Sequence, residues 1–174
     1  IAGALILSGI VWLFGSRNPV TPAGYVGYVT QGAVFGKTKF YGLQTGPTSP
    51  GRTWLLSVTN VSVTPYTYTE EFTGDDAVLS RDNLKISFRV HITWKVRGND
   101  ARQFVEKFST LAAGQSADQV VEVAYKNFLR EPLRTYSRDE LQKMKGLEIK
   151  DQITPTGDRI LARVTELTKD TPFE

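Results

Sequence analysis

The 174-residue sequence contains no cysteine, a single histidine and a single methionine. Without cysteine, the chain forms no disulfide, has no thiolate nucleophile and offers no sulfur ligand to zinc. His91 lies within an alternation of polar and apolar residues, where a solvent-facing strand position is the ordinary interpretation. The sequence also has no GxxxxGK[ST] or GxGxxG loop and no HExxH motif. It therefore predicts no catalytic residue, no metal site and no cofactor, and the chain is not expected to be an enzyme.

The charge of the chain is small and unevenly distributed. Lys and Arg number 21 and Asp and Glu number 18, which gives a net charge of +3. No acidic residue occurs from Asn83 to Asn99, and the cations of this window are Lys85, Arg89, Lys95 and Arg97. A local basic face differs from the broad basic excess of nucleic-acid-binding proteins, so no nucleic-acid partner is expected.

The window from Leu84 to Val96, LKISFRVHITWKV, alternates apolar and polar residues without a break. Successive strand side chains point to opposite faces, so the window predicts one long strand with a buried apolar face and a wet basic face. The basic face has two explanations. An antiparallel neighbour through Thr67–Glu71 would place Glu70 and Glu71 across from it. Alternatively, it contacts anionic lipid headgroups or an acidic surface of a second subunit.

The first 15 residues, IAGALILSGIVWLFG, contain no charge and only one polar side chain, Ser8. They fit the core of a signal peptide, a buried helix, or the end of a transmembrane helix whose start is missing. A signal peptide would be followed by a good cleavage site, which is missing here, and buried helices usually carry a polar stripe, which this segment does not have. The transmembrane helix is therefore favoured. The predicted anchor residues are Leu5, Ile6, Leu7, Ile10, Val11, Trp12, Leu13 and Phe14. Residues 16–24 contain two prolines and a glycine and predict a linker.

Beyond the linker, strand-like segments come before helical ones. Residues 25–36 and Leu55–Tyr68 are typical of strands, and residues 40–54 predict a long turn. After Gly98 the apolar period changes to about 3.6. The helices that follow are predicted over Asp100–Leu111, from Ser116 to Pro132, from a capping box at Ser137 and Glu140 to Met144, and over Asp158–Thr168. This order predicts an α+β fold, with an N-terminal transmembrane helix and an antiparallel sheet covered by helices on one face.

Large apolar side chains are concentrated in and around the predicted turn at residues 40–54. One explanation is packing within the core of a hairpin. The other is a loop that dips into the membrane interface, where Trp and Tyr rings are favoured. The candidate membrane-dipping residues are Phe35, Phe40, Tyr41, Leu43, Trp54, Leu55 and Leu56.

Short motifs follow one another along the chain. Residues 22–29, PAGYVGYV, resemble the pattern P-x-G-x-x-G-V, and residues 34–37 resemble x-F-G-K. Residues 46–54 stand in the place of PGLHF, with an inserted Pro-Thr-Ser-Pro. Ser80–Asn83 and the alternating window resemble T-x-D-N-V-x-V-x-V-x-V-x-Y-x-V, with serine in place of the first threonine. Residues 128–130 and 137–141 resemble the LR step and s-x-e-e-L. In this order the motifs resemble the SPFH or band 7 family, which includes stomatin, prohibitin, flotillin and bacterial protease regulators. The motif positions assigned a structural role are Pro22, Gly24, Gly27, Gly36, Gly46, Asp82 and Asn83.

The resemblance implies a non-enzymatic, membrane-anchored scaffold that assembles into a large ring or cage around a membrane microdomain. The implied partners are membrane lipids, further copies or paralogous SPFH subunits, and a membrane-anchored AAA protease. The implied location is a single-pass position in a membrane, with a bacterial inner membrane favoured over a mitochondrial inner membrane. The expected divisions are a transmembrane helix (1–15), a linker (16–24), a mainly β first SPFH half (25–79), a second half (80–174) and a coiled coil beyond residue 174. A monomeric, membrane-tethered module that binds lipid or protein is the alternative.

Overall fold

The computed structural model describes residues 2–15, 18–33, 35–51, 53–108 and 117–174. The strands are β1 (Tyr25–Gln31), β2 (Lys39–Thr45), β3 (Leu56–Ser62), β4 (Tyr66–Phe72), β5 (Val78–Leu79), β6 (Lys85–Ile86) and β7 (Phe88–Trp94). The helices are α1 (Ala2–Gly15), α2 (Ala101–Phe108), α3 (Ala117–Ala124), α4 (Arg130–Gln142) and α5 (Ile153–Thr168). A π-helical turn, Tyr125–Leu129, joins α3 to α4. The strands pair in antiparallel sheets, so the predicted α+β class is confirmed.

Helix α1 is uncharged, and it exposes the large apolar side chains of Leu5, Ile6, Leu7, Ile10 and Trp12. The side chains of the other predicted anchor residues, Val11, Leu13 and Phe14, lie outside the described part of the chain. Within the described ranges, no helix combines the length and the apolar character needed to cross a bilayer. The structure therefore does not support the predicted transmembrane helix.

The chain divides into two compact units. The first comprises Ile1–Thr64 and Val96–Val121, and the second comprises Pro65–Lys95 and Glu122–Glu174. These units are defined by packing, whereas the predicted halves, 25–79 and 80–174, are defined by family motifs.

The first unit contains a three-stranded antiparallel sheet in the order β2-β1-β3. Residues 39–45 therefore form an edge strand, and the prediction of a continuous turn over residues 40–54 is wrong. The alternating half-buried side chains of β2 explain this, because they extend the sheet beside β1. On one sheet face, the ring of Phe40 packs 4.9 Å from that of Tyr28. The guanidinium of Arg102, from α2, lies 4.4 Å from the centre of the Phe40 ring.

The segment before β1 crosses the opposite face of this sheet. Gln44 and Asn60 both pair with Gly27 in the strand register, so their side chains flank it on that face. The Gln44 amide donates hydrogen bonds to the carbonyl of Pro19 at 3.2 Å and to the hydroxyl of Thr21 at 2.6 Å. The Asn60 amide donates to the carbonyl of residue 20 at 3.2 Å. Side chains of the two outer strands thus hold residues 19–21, which we call the crossing segment.

Gly27 leaves the space that the crossing segment occupies. A methyl group placed there would collide with the Thr21 hydroxyl and with a methyl of Val58. The strand backbone itself is ordinary at this position, so the glycine is required by close approach and not by its dihedral angles.

We expect Gly27→Ala to destabilise the chain by about 1–3 kcal/mol, because the added methyl must displace the crossing segment. Gly42→Ala is the matched control, since it lies in β2 of the same sheet and a methyl there meets nothing within 4 Å. Urea unfolding measures both. Equal unfolding free energies for the two variants would contradict the assigned role of Gly27.

The second unit contains the antiparallel pair β4-β7 and the short pair β5-β6. The predicted strand Leu84–Val96 is therefore too long, since β6 and β7 are separated by Ser87. The interruption has a physical cause, because Ile86 pairs with Val78 of β5 whereas Phe88 pairs with Phe72 of β4. The alternation of apolar and polar side chains continues through β7, where the even-numbered residues are the more buried ones.

Three helix boundaries differ from the prediction. Pro132 does not end a helix but lies just after the π-helical turn Tyr125–Leu129, within a helical run that continues from α3 into α4. Ser137 is inside α4, and its hydroxyl donates to the carbonyl of Leu133 at 2.7 Å, so the predicted capping box is wrong. Helix α5 begins at Ile153, before the predicted start. Two predicted boundaries, Leu111 and Ser116, lie outside the described residues.

The core of the second unit forms around the buried ends of β4 and β7. The Trp94 ring lies 5.0 Å from the Phe173 ring and 6.1 Å from the Tyr125 ring. At the other end, the Phe72 and Phe88 rings stack at 4.3 Å. These contacts commit the apolar face of the alternating window to the interior, as its pattern predicts.

Candidate functional site

The basic strand face of β7 is matched by polar partners on β4. Arg89 lies directly across from Glu71, and its Nε is 2.9 Å from the Glu71 carboxylate. The next pair along the same face is His91 and Thr69, which share a hydrogen bond of 2.8 Å. His91 therefore belongs to a cross-strand ladder on an exposed sheet face. Its pairing with Thr69 accounts for this residue without a catalytic or ligand-binding role.

Two further cations of the window also have nearby acidic partners. The Lys95 ammonium lies 3.1 Å from the Glu174 carboxylate, and the Arg97 guanidinium lies 3.1 Å from that of Asp100. Lys85 is exposed. The predominance of local pairs favours the local explanation of this basic strand face over contact with lipid or another subunit.

Glu70 was expected on the basic strand face, and that expectation is wrong. Glu70 is only 6% exposed and points to the opposite side of β4. Its carboxylate lies 2.9 Å from Arg134 and 3.3 Å from Arg130, and it accepts a hydrogen bond of 3.0 Å from the Tyr125 hydroxyl. Burial and then the negative Glu70 raise the pKa of Tyr125, so this hydroxyl remains a donor.

Two sequence signals were sufficient to predict the position of Glu70. Adjacent strand residues point to opposite faces, so Glu70 and Glu71 cannot both face Arg89. Arg130, Arg134 and Arg138 also recur every four residues, which places them on one side of a helix.

We expect Glu70→Gln to lower the free energy of unfolding by about 3 kcal/mol, because the buried Arg134 then keeps only the exposed Asp76, 3.0 Å away, as a counter-charge. The neighbouring substitution Glu71→Gln removes only an exposed pair and is expected to cost about 0–1 kcal/mol. Urea unfolding of both variants makes the comparison. A larger cost for the Glu71 variant would contradict the burial assigned to Glu70.

The motif Ser80–Asn83 forms a turn attached to the end of α4. The Asp82 carboxylate accepts hydrogen bonds from the Ser80 hydroxyl at 2.5 Å and from the N–H of Gly146 at 2.8 Å. Asn83 has a φ of 59°, a left-handed conformation that asparagine tolerates better than most residues. The motif therefore fixes the chain before β6 and has a structural explanation.

The hydrogen bond from Ser80, and then that from Gly146, lower the pKa of the Asp82 carboxyl. A lowered folded-state pKa contributes stability above the unfolded value of about 3.9, and this contribution is lost as pH falls toward the folded value. We therefore expect the wild-type chain to exceed Asp82→Asn in melting temperature at neutral pH and the difference to shrink below about pH 4. Thermal melts across this pH range test the sign. A difference that grows with acidity would contradict it.

The candidate membrane-dipping residues fall into three groups. Phe40 and Leu56 are half-buried within strands. Tyr41 and Leu43 are exposed along the edge strand β2. The remaining members, Phe35, Trp54 and Leu55, lie where β1 ends and β2 and β3 begin, and we call this group the apolar sheet end.

The geometry of the apolar sheet end follows from the strand register. Gln31, the last residue of β1, pairs with Lys39 on one side and Leu56 on the other. The N–H of Gly32 donates a 2.7 Å hydrogen bond to the carbonyl of Leu55. Phe35 is 95% exposed, and Trp54 and Leu55 are 41% and 42% exposed. Val34 and Arg52, from the same connections, lie outside the described residues.

Leu55 has an unusual backbone conformation, with a φ of 55°. A residue with a Cβ atom pays roughly 1–2 kcal/mol in this left-handed region, and glycine or asparagine would fit with less strain. The strained residue is a leucine with an exposed side chain. The backbone strain adds a structural reason to regard Leu55, one of the candidate membrane-dipping residues, as a functional residue.

The second unit also contains a cavity of about 460 Å³. It lies between β7 and α5, and its lining includes Phe88, Val90, Ile160, Leu161 and Val164. Most of its lining side chains are apolar. Within the described part of the chain, no cluster of three or more His, Asp or Glu residues could hold a metal ion.

A model of the SPFH domain / Band 7 family matches residues 19–174. The chain belongs to this family. SPFH proteins are in general membrane-associated scaffolds. A comparison with curated proteins found no match. The matched region begins at the crossing segment, and it includes both the close approach at Gly27 and the turn at Ser80–Asn83.

Proposed function

We propose that this SPFH chain is a subunit of a membrane scaffold whose apolar sheet end contacts the bilayer. Subunits of this scaffold assemble into a ring or cage around a patch of membrane. By enclosing the patch, the assembly restricts the access of membrane proteases to their substrates. Family membership and the exposed residues Phe35, Trp54 and Leu55 support the proposal.

The observation that carries the membrane contact is the strained, exposed Leu55 beside Trp54. In water, an exposed leucine side chain gains no free energy that offsets the strain of its left-handed backbone. Burial of the side chain in a bilayer interface does supply such free energy. Full burial of a Leu or Phe side chain is worth about 1.5–3 kcal/mol. Trp rings are favoured at the interface itself. Helix α1 supports the same proposal, because its exposed apolar side chains provide a further attachment to lipid.

We expect Leu55→Asn to raise the free energy of unfolding by about 1 kcal/mol, because asparagine adopts positive φ with less strain. The same variant should weaken membrane contact at the sheet end. Trp54 fluorescence in the Trp12→Phe background reports that contact as a blue shift on addition of vesicles, since Trp94 is only 4% exposed.

Leu147→Asn is the matched control, since Leu147 is 86% exposed in the second unit and has no role in the proposed contact. It should leave both the stability and the shift unchanged. A Leu55→Asn variant that is less stable and shifts like the parent would contradict the function assigned to this leucine.

The assembly is tested on the full chain extracted in a mild detergent. Native mass spectrometry and electron microscopy should show a multi-subunit particle. A monomer across the accessible concentration range would overturn the scaffold and would leave the monomeric, membrane-tethered binding module as the function.

A further inference from the structure

The net positive charge of the chain originates in its first 69 residues. This part carries the cations Arg17, Lys37, Lys39 and Arg52 and no acidic residue at all. The remaining 105 residues carry 17 Lys and Arg against 18 Asp and Glu. The part that contains the apolar sheet end therefore carries as many cations without an acid as the window from Asn83 to Asn99.

Two of these cations lie beside the apolar sheet end. Lys37 is in the connection that carries Phe35, and Lys39 opens β2 opposite Gln31. Both lysines are exposed. Among the described residues, neither makes a salt bridge, in contrast to Arg89, whose guanidinium is already paired with Glu71. Their charges are thus available to a ligand outside the chain.

We propose that the apolar sheet end recognises anionic phospholipid, with Lys37 and Lys39 on the headgroups and Phe35, Trp54 and Leu55 in the interface. This inference rests on the proposed membrane contact and specifies which lipids that contact selects. Long lysine side chains suit this arrangement, because their aliphatic stems cover apolar surface while the ammonium groups stay at headgroup level. No acidic residue occurs in the first 69 positions, and Glu106 of α2, which lies beside Tyr28 of the same sheet, is paired with Arg102 at 2.8 Å.

The expected size of the preference follows from surface electrostatics. A lysine close to an anionic leaflet strengthens binding about fivefold, so the two together contribute about 25-fold. Because the attraction falls off within a Debye length, added salt should weaken it. The interaction of the three apolar side chains with lipid should change little with salt.

The test uses the full chain with Trp12→Phe, so that Trp54 is the indole available to lipid. Vesicles carry brominated acyl chains in phosphatidylcholine alone or in phosphatidylcholine mixed with phosphatidylglycerol. Quenching of Trp54 reports the sheet end directly, because the indole of helix α1 is absent from this variant. We expect half-maximal quenching at about 25-fold lower lipid concentration with the anionic vesicles at low salt, and a smaller ratio at high salt.

Matched variants distinguish an effect of these two lysines from an effect of the total charge of the chain. Lys37→Gln with Lys39→Gln should abolish the preference for anionic vesicles while leaving quenching by phosphatidylcholine. Lys85→Gln with Lys150→Gln removes the same charge from two exposed lysines of the second unit and should retain the preference. Urea unfolding confirms that each variant is folded.

Four results would overturn the inference. Equal quenching by both kinds of vesicle would remove the anionic preference but leave the membrane contact standing. Retention of the preference after Lys37→Gln and Lys39→Gln would assign it to other residues. Displacement of the sheet end from anionic vesicles by an acidic polypeptide at equal charge concentration would indicate a protein partner instead. Absence of quenching by either kind of vesicle would overturn the proposed membrane contact itself.

Discussion

The antiparallel register of β4 and β7 is the constraint on which the second unit depends. Because neighbouring strand residues point to opposite faces, this register sends Glu71 to solvent beside Arg89 and Glu70 inward to Arg134. A shift of one residue would bury the wrong carboxylate and expose the aromatic core. The same register pairs Glu71 with Arg89, while Glu174 and Asp100 pair with Lys95 and Arg97, so this face is not the first choice for an external ligand.

The first unit depends on a close approach between its sheet and the segment before it. Gly27 lets residues 19–21 cross the sheet, where the Gln44 and Asn60 amides hold their carbonyls. The motif residues Gly27 and Asp82 are therefore explained by packing and by hydrogen bonding. Among the residues that the structure describes, none gives the exposed group Phe35, Trp54 and Leu55 such an explanation, and this contrast is why we assign the membrane contact to it.

The sequence was sufficient for the fold class, because strand-like periods come before helical ones along the chain. It was also sufficient for the alternation of β7 and for placing Glu71 across from the basic face, because both depend on a period of two. It could not predict the break at Ser87, which reflects a change of partner strand and leaves the alternation intact. It also misplaced Ser137, since a capping-box pattern inside a helix differs from one at its start only by the surrounding packing. The left-handed backbone of Leu55 has no sequence signature, because leucine is a residue that ordinarily avoids it.

The most direct test of the membrane contact uses the absence of cysteine. Single Phe35→Cys and Leu147→Cys variants carry a nitroxide spin label each, without background labelling, and are measured in vesicles. Electron paramagnetic resonance then compares collisions with apolar oxygen and with a water-soluble nickel complex. The account predicts a label at position 35 that oxygen reaches more readily than nickel, and a label at position 147 that stays aqueous. An aqueous label at both positions would contradict the account.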